Sequence, residues 1–301
     1  MTILEIILLL CGNMPVFDSV TTALGTAGTG GFGIKNSSIG DYSPYIQWVV
    51  TIFMILFGVN FNAYYLFLFS SIKKAITMEE VRVYFLIILC SIAIIFFNIL
   101  DLTKGIFDAL TQASFQVASI ITTTGFSTAD FDLWPQTSKV ILVCLMFIGA
   151  CAGSTGGGIK VSRFIIMFKT VKKELVSYIH PKNVKKINME GKPVEHDTVR
   201  SVNVYFITFV TIFVFSVFLL SFEKNTDLIT TFTSVAATIN NIGPGLSMVG
   251  PTQNFGFFNV FSKCVLIFDM IAGRLELFPL LMLFHPKLWK QSLSMMRHKK
   301  S

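Results

Sequence analysis

The chain has 301 residues, 53% hydrophobic and 14% charged, with a mean hydropathy of +0.68 and a formal net charge of +7. Soluble domains carry about a quarter charged residues, so this composition excludes an ordinary soluble globular protein and points to a chain embedded in lipid.

Residues 2–12 open the chain as a short apolar helix; at ~1.5 Å per residue it cannot cross a hydrocarbon core of ~30 Å. A polar, helix-capable segment follows over residues 17–32 and ends in Thr29-Gly30-Gly31-Phe32. No charge then occurs between Asp41 and Lys73, nor between Arg82 and Asp101, and both windows read as membrane helices. A second polar segment, residues 107–126, ends in Thr123-Thr124-Gly125-Phe126. The next charge-free window, Lys139 to Lys160, contains Gly149, Gly153, Ser154, Thr155, Gly156, Gly157 and Gly158. Such a run holds a lipid-facing helix poorly, so a break is expected there. Residues 172–200, polar and basic with Pro181, Gly191 and Pro193, read as a cytoplasmic loop. After a further charge-free window between Arg200 and Glu223, a third polar segment, residues 227–244, ends in Asn241-Ile242-Gly243-Pro244. The last apolar window, about 259–284, is interrupted by Asp269, Arg274 and Glu276.

Of the 24 Lys and Arg residues, three lie in 73–82, ten in 160–200 and five in 287–300. By the positive-inside rule these segments are cytoplasmic, so the three polar segments enter from outside. Asp18, Asp41, Asp101, Asp108, Asp130, Asp132, Glu223 and Asp227 fall on the outer side. They read either as a mildly acidic mouth that concentrates cations or as ordinary solvated charges.

A short polar segment between two apolar runs enters the membrane and returns, which is the layout of an ion pore. A filter that replaces the hydration shell of an alkali cation needs inward-facing carbonyls, and glycine allows the backbone conformations that turn them to one axis. Irregular backbone at this depth survives only where protein buries it or water wets it. The half-helix before each tetrapeptide aims its partially negative C-terminal end at the cation.

These residues resemble the superfamily of potassium transporters that includes bacterial Trk and Ktr and plant HKT proteins. Residues 122–128, 153–160, 240–245 and 273–276 look specifically like the Trk/Ktr type, and the resemblance covers essentially the whole chain. It implies an all-α, multi-pass protein of the cytoplasmic membrane built from helix, pore loop, helix units around a pseudo-fourfold pore. It implies potassium as transported substrate and no cofactor in this chain. The potassium-binding filter would be Thr29 to Phe32, Thr123 to Phe126 and Asn241 to Pro244. The glycine run would be an intramembrane gate, with Gly-x-x-x-Gly-like helix packing as the alternative. Arg274 would face the ion pathway near that gate, the alternative being an ion pair with Glu5 or Asp269. A homodimer and a cytoplasmic nucleotide-binding regulatory subunit are the implied partners, the latter meeting the basic 160–200 segment and the tail at 287–300.

The resembled proteins have four units, whereas about two and a half are legible here: a partial unit over 1–81, a complete one over 82–171, a cytoplasmic linker over 172–199, and a last unit with a basic tail over 200–301. The expectation is therefore a truncated product lacking the first unit, either a non-transporting fragment or one that needs the missing part in trans. Sodium remains an alternative to potassium, because the filter segment associated with that choice is absent; Gly31, Gly125 and Gly243 favour potassium.

Other readings fail on context. Residues 28–33 satisfy G-x-G-x-x-G but follow no strand, and Ile159 separates Gly158 from Lys160, spoiling a phosphate-loop pattern. Cys11, Cys90, Cys144, Cys151 and Cys264 lack metal-like spacing, and His180, His196, His285 and His298 are scattered. Neither an enzyme nor a nucleic-acid binder is expected.

Overall fold

The computed structural model describes residues 1–69, 71–180, 186–224 and 226–284. The basic tail and two of the histidines lie outside the described residues.

Three successive units share one plan. The first has α1 (Thr2–Cys11), α2 (Val16–Ala27), α3 (Pro44–Phe57) and α4 (Phe61–Phe69), followed by the short connector α5 (Ile72–Thr77). The second has α6 (Glu79–Ile99), α7 (Ile106–Ile121), α8 (Gln136–Phe147) and α9 (Val161–Ile179). A two-stranded antiparallel ribbon, β1 (Asn188–Met189) with β2 (Lys192–Pro193), leads into the third: α10 (His196–Leu220), α11 (Leu228–Ile239), α12 (Val260–Arg274) and α13 (Phe278–Leu283).

Helix starts follow local chemistry. Asp227 accepts from Thr230 N at the head of α11, Asn259 from Ser262 N at the head of α12, and Ser43 from Ile46 N before Pro44 of α3. Helix α6 with its trailing turn, Glu79–Leu102, and α10 are the two described helices long and apolar enough to span a membrane singly, and both are largely uncovered by protein. Burial is inverted relative to a soluble fold. The half-helices α7 and α11 carry Ser, Thr and Gln yet are almost wholly enclosed, while α6 and α10 present Leu86, Phe97, Ile207 and Phe215 outward. The enclosed hydroxyls are satisfied by their own helix: Thr122 donates to Ala118 O, Ser234 to Thr230 O and Thr238 to Ser234 O.

The second apolar window of each unit is broken, which corrects the reading of the 41–73 window as a continuous membrane helix, while the 82–101 and 200–223 windows are unbroken. The 41–73 window bends by 90° between α3 and α4, because Gly58 and Asn60 interrupt it. The third unit's window stops after Arg274. The break expected within the glycine run is present between α8 and α9.

Candidate functional site

Helices α2, α7 and α11 end identically. Gly30 N donates to Gly25 O, Thr124 N to Ser119 O and Ile242 N to Ala237 O, at 2.8, 2.9 and 2.8 Å. Inside each of these runs a shorter bond joins Thr29 N to Thr26 O, Thr123 N to Ile120 O and Asn241 N to Thr238 O. This is the Schellman pattern, and it forces the residue after the cap into the left-handed region. Glycine usually takes that place; here it is Thr29 (φ 49°), Thr123 (φ 56°) and Asn241 (φ 56°). Three strained non-glycine residues in register mark a functional backbone.

The next glycines, Gly31, Gly125 and Gly243, also have positive φ. Their placement is sequential around a ring. A Cβ on Gly31 would lie 2.0 Å from Thr124 O, and one on Gly125 would lie 1.9 Å from Ile242 O, whereas one on Gly243 would meet nothing within 4 Å among the described residues. The first two loops thus each seat a glycine on a carbonyl of the next, and the third faces open space among the described residues. The three glycines line one outer cavity of about 270 Å³ together with Lys35, whose ammonium is parked 4.2 Å from the Tyr42 ring centre. The fourth residues diverge: Phe126 is fully enclosed against Gly25 while the Phe32 side chain is exposed.

Beneath this ring lies the loop between α8 and α9. Its ends meet in a parallel bridge of Ile148 with Ile159, where Gly149 N donates to Ile159 O and Val161 N to Ala150 O. Gly153 and Gly158 turn the chain through positive φ. The apex touches the chain that follows each of the three half-helices. Gly157 N donates to Thr123 Oγ1 at 2.6 Å, Thr29 Oγ1 donates to Thr155 O at 3.1 Å, and a Cβ on Gly157 would stand 2.7 Å from Asn240 O. Ser154 is turned back onto Cys151 O, and Lys160 folds its ammonium onto Gly156 O. At the head of α11, burial raises the Asp227 carboxyl, but hydrogen bonds from Thr230 outweigh it and hold the group below its usual range.

Arg274, the last residue of α12, donates to Gly28 O at 3.1 Å and to Thr29 Oγ1 and Thr155 O at 3.4 Å. It therefore joins the end of α2 to the loop between α8 and α9. Neither Glu5 nor Asp269 forms an ion pair with it; Asp269 instead accepts from Ser216 at 2.8 Å.

Two groups escaped the sequence. Glu80, at the start of α6, accepts from Ala152 N, Ser162 N and Asn60 Nδ2, and its distance along the chain from the loop leaves no local signal. Asn60 did carry one, since a Gly-x-Asn in an apolar run is a helix breaker. Among the described residues no His, Cys, Asp or Glu cluster could hold a metal ion; the ring offers carbonyls and hydroxyls, suited to a hard monovalent cation.

Residues 6–293 match the family model described as TrkH, cation transport protein. The chain is 36% identical over 286 residues to the Trk system potassium uptake protein TrkH of Salmonella typhimurium, covering 93% of this chain and 58% of that protein. It is 34% identical over 283 residues to the Trk system potassium uptake protein TrkG of Escherichia coli, covering 92% and 57%. The crystal structure of the potassium transporter TrkH from Vibrio parahaemolyticus superimposes with a TM-score of 0.87 at 34% identity, covering 96% of this chain and 62% of that one. The chain thus spans about 58% of the length of such curated relatives.

Proposed function

Because this chain belongs to the TrkH family of cation transport proteins, and is a multi-pass protein of the cell membrane, we propose that it carries potassium into the cell through the ring formed by Thr29 to Phe32, Thr123 to Phe126 and Asn241 to Pro244. The observation that carries this reading is the repeated Schellman end with its left-handed residue and following glycine, seated carbonyl to glycine from one loop to the next. Half-helices α2, α7 and α11 add the negative ends of their dipoles. A fourth carbonyl loop beside Gly243 and Thr29 completes the ring in this reading.

The loop with Gly149, Gly153, Ser154, Thr155, Gly156, Gly157 and Gly158 is the gate. It lies across the axis below the filter, and glycines let it change φ and ψ with little steric resistance. Arg274 holds it to the first filter loop and places a positive charge on the route. The chain needs no cofactor, potassium being its cargo, and performs no enzymatic chemistry.

On the cytoplasmic side, the basic stretch before α10 is the contact for a nucleotide-binding regulatory subunit, and the transporter works as a homodimer. Support comes from the β1–β2 ribbon, which Lys169 ties to α9 through Asn188 O at 2.7 Å, so a partner held there can pull on the helix that leaves the gate.

The test is potassium and sodium uptake by a potassium-uptake-deficient bacterium expressing the protein as its gene encodes it. Potassium uptake that exceeds sodium uptake is expected. Normal membrane abundance with no cation uptake, alone or with the regulatory subunit, sinks the reading.

A further inference from the structure

The gate loop is mostly glycine and small residues, so it has little side-chain surface with which to hold its own shape, and ordering it is entropically costly. Its conformation therefore depends on bonds from outside. Three of them come to one side chain. Glu80 is 2% exposed; one carboxylate oxygen accepts from Ala152 N at 2.6 Å and Ser162 N at 3.1 Å, and the other accepts from Asn60 Nδ2 at 3.2 Å. Ala152 lies on the limb that enters the loop and Ser162 in the first turn after it, so one carboxylate pins both shoulders. Asn60 adds the break between α3 and α4, whose Phe61 N also donates to Gly153 O. Glu80 itself stands in the first turn of a full-length span, where the helix end favours negative charge.

We propose that Glu80 is the latch of this gate: a positioning residue whose carboxylate holds the loop across the pore and must release at least one shoulder before the loop can move aside. The proposal rests on the reading of the loop as an obstruction. One carboxylate oxygen serves both loop N–H groups and the other serves Asn60 Nδ2, and charge-assisted bonds of this kind are the strong ones. Glutamine keeps the shape and one oxygen for the two loop N–H groups, but that oxygen is uncharged and its NH2 is turned towards the Asn60 Nδ2 donor, so both shoulders are held more weakly and the population shifts towards the displaced loop.

Cys151, fully buried in the loop with its N–H on Gly58 O, reports the loop's position without reference to transport. The experiment compares the protein with its Glu80→Gln variant in native membranes by two readouts: unstimulated rubidium uptake, and the rate at which a small maleimide modifies Cys151, mapped by mass spectrometry. Each is expected to rise about tenfold, the equilibrium change matching loss of one charged hydrogen bond. Asn60→Asp, which keeps the cap to Asn62 N but sets a carboxylate against Glu80, is expected to act in the same direction if Glu80→Gln accumulates poorly. Unchanged Cys151 modification in whichever variant accumulates overturns the latch. Faster modification with unchanged uptake preserves the latch and overturns the loop as obstruction.

Discussion

A Cβ on Gly125 would stand 1.9 Å from the Ile242 oxygen and one on Gly31 2.0 Å from the Thr124 oxygen, so both positions forbid any side chain without moving a neighbouring loop. Gly125→Ser is expected to lower potassium-over-sodium selectivity, measured by paired uptake assays, and unchanged selectivity would remove Gly125 from the filter. Gly243→Ala strains only its φ of 108°, costing about 1–2 kcal/mol, and a milder loss is expected. Arg274 makes its bonds to carbonyls and a hydroxyl, so Arg274→Ala strands no carboxylate. Rubidium uptake should rise at normal membrane abundance; abundance falling and rescued by neutralising Asp269 or Glu5 would restore the ion-pair alternative. Gly125 was legible because glycine in a repeated tetrapeptide names its own conformation. Glu80 was not, because nothing local distinguishes a carboxylate that clamps a distant loop from one that begins a helix.

At the scale of elements, the loop between α8 and α9 is a closed excursion stapled at Ile148 and Ile159. Removing three residues between 153 and 158 shortens the apex without touching the staple, so basal cation flux should increase. Loss of folded protein, with no leak from what remains, would instead favour small-residue packing. Helix α11 begins on the Asp227 carboxylate, whose bonds from Thr230 hold it below its usual range. The sign follows: a depressed carboxyl contributes stability above its unfolded value near 3.8, and that stability fades as pH falls through the lower folded value. Thermal stability in detergent should therefore weaken in the native chain as pH falls below about 3.8, and Asp227→Asn, an equally good cap, should remove that part of the dependence.

Across the whole molecule the units are locked at the breaks of their second helices. Gly58 abuts Tyr84 and the end of α7, Gly157 abuts Asn240, and a Cβ on Gly273 would fall 1.8 Å from Ile239 O at the end of α11. Arg163 spans from α9 to Glu276 beyond α12 at 2.5 Å and stacks 3.9 Å over Tyr205. Gly273→Ala is accordingly expected to destabilise the fold by about 1–3 kcal/mol, read as a lower melting temperature in detergent; an unshifted transition would mean that α12 can retreat freely from the filter.

Charge-free windows, the distribution of lysine and arginine, and three polar segments ending in glycine tetrapeptides determined the membrane class and the places where the three half-helices end in left-handed backbone, because each is a local signature of solvent or backbone conformation. The glycine run likewise announced its own break. Tertiary structure alone decided that the first unit's second helix turns by 90°, that Arg274 binds carbonyls instead of a carboxylate, and that Glu80 accepts from both shoulders of the loop between α8 and α9. Those outcomes depend on which backbone groups lack partners once the units pack, and residues some seventy positions apart in the chain carry no mark of that in their sequence.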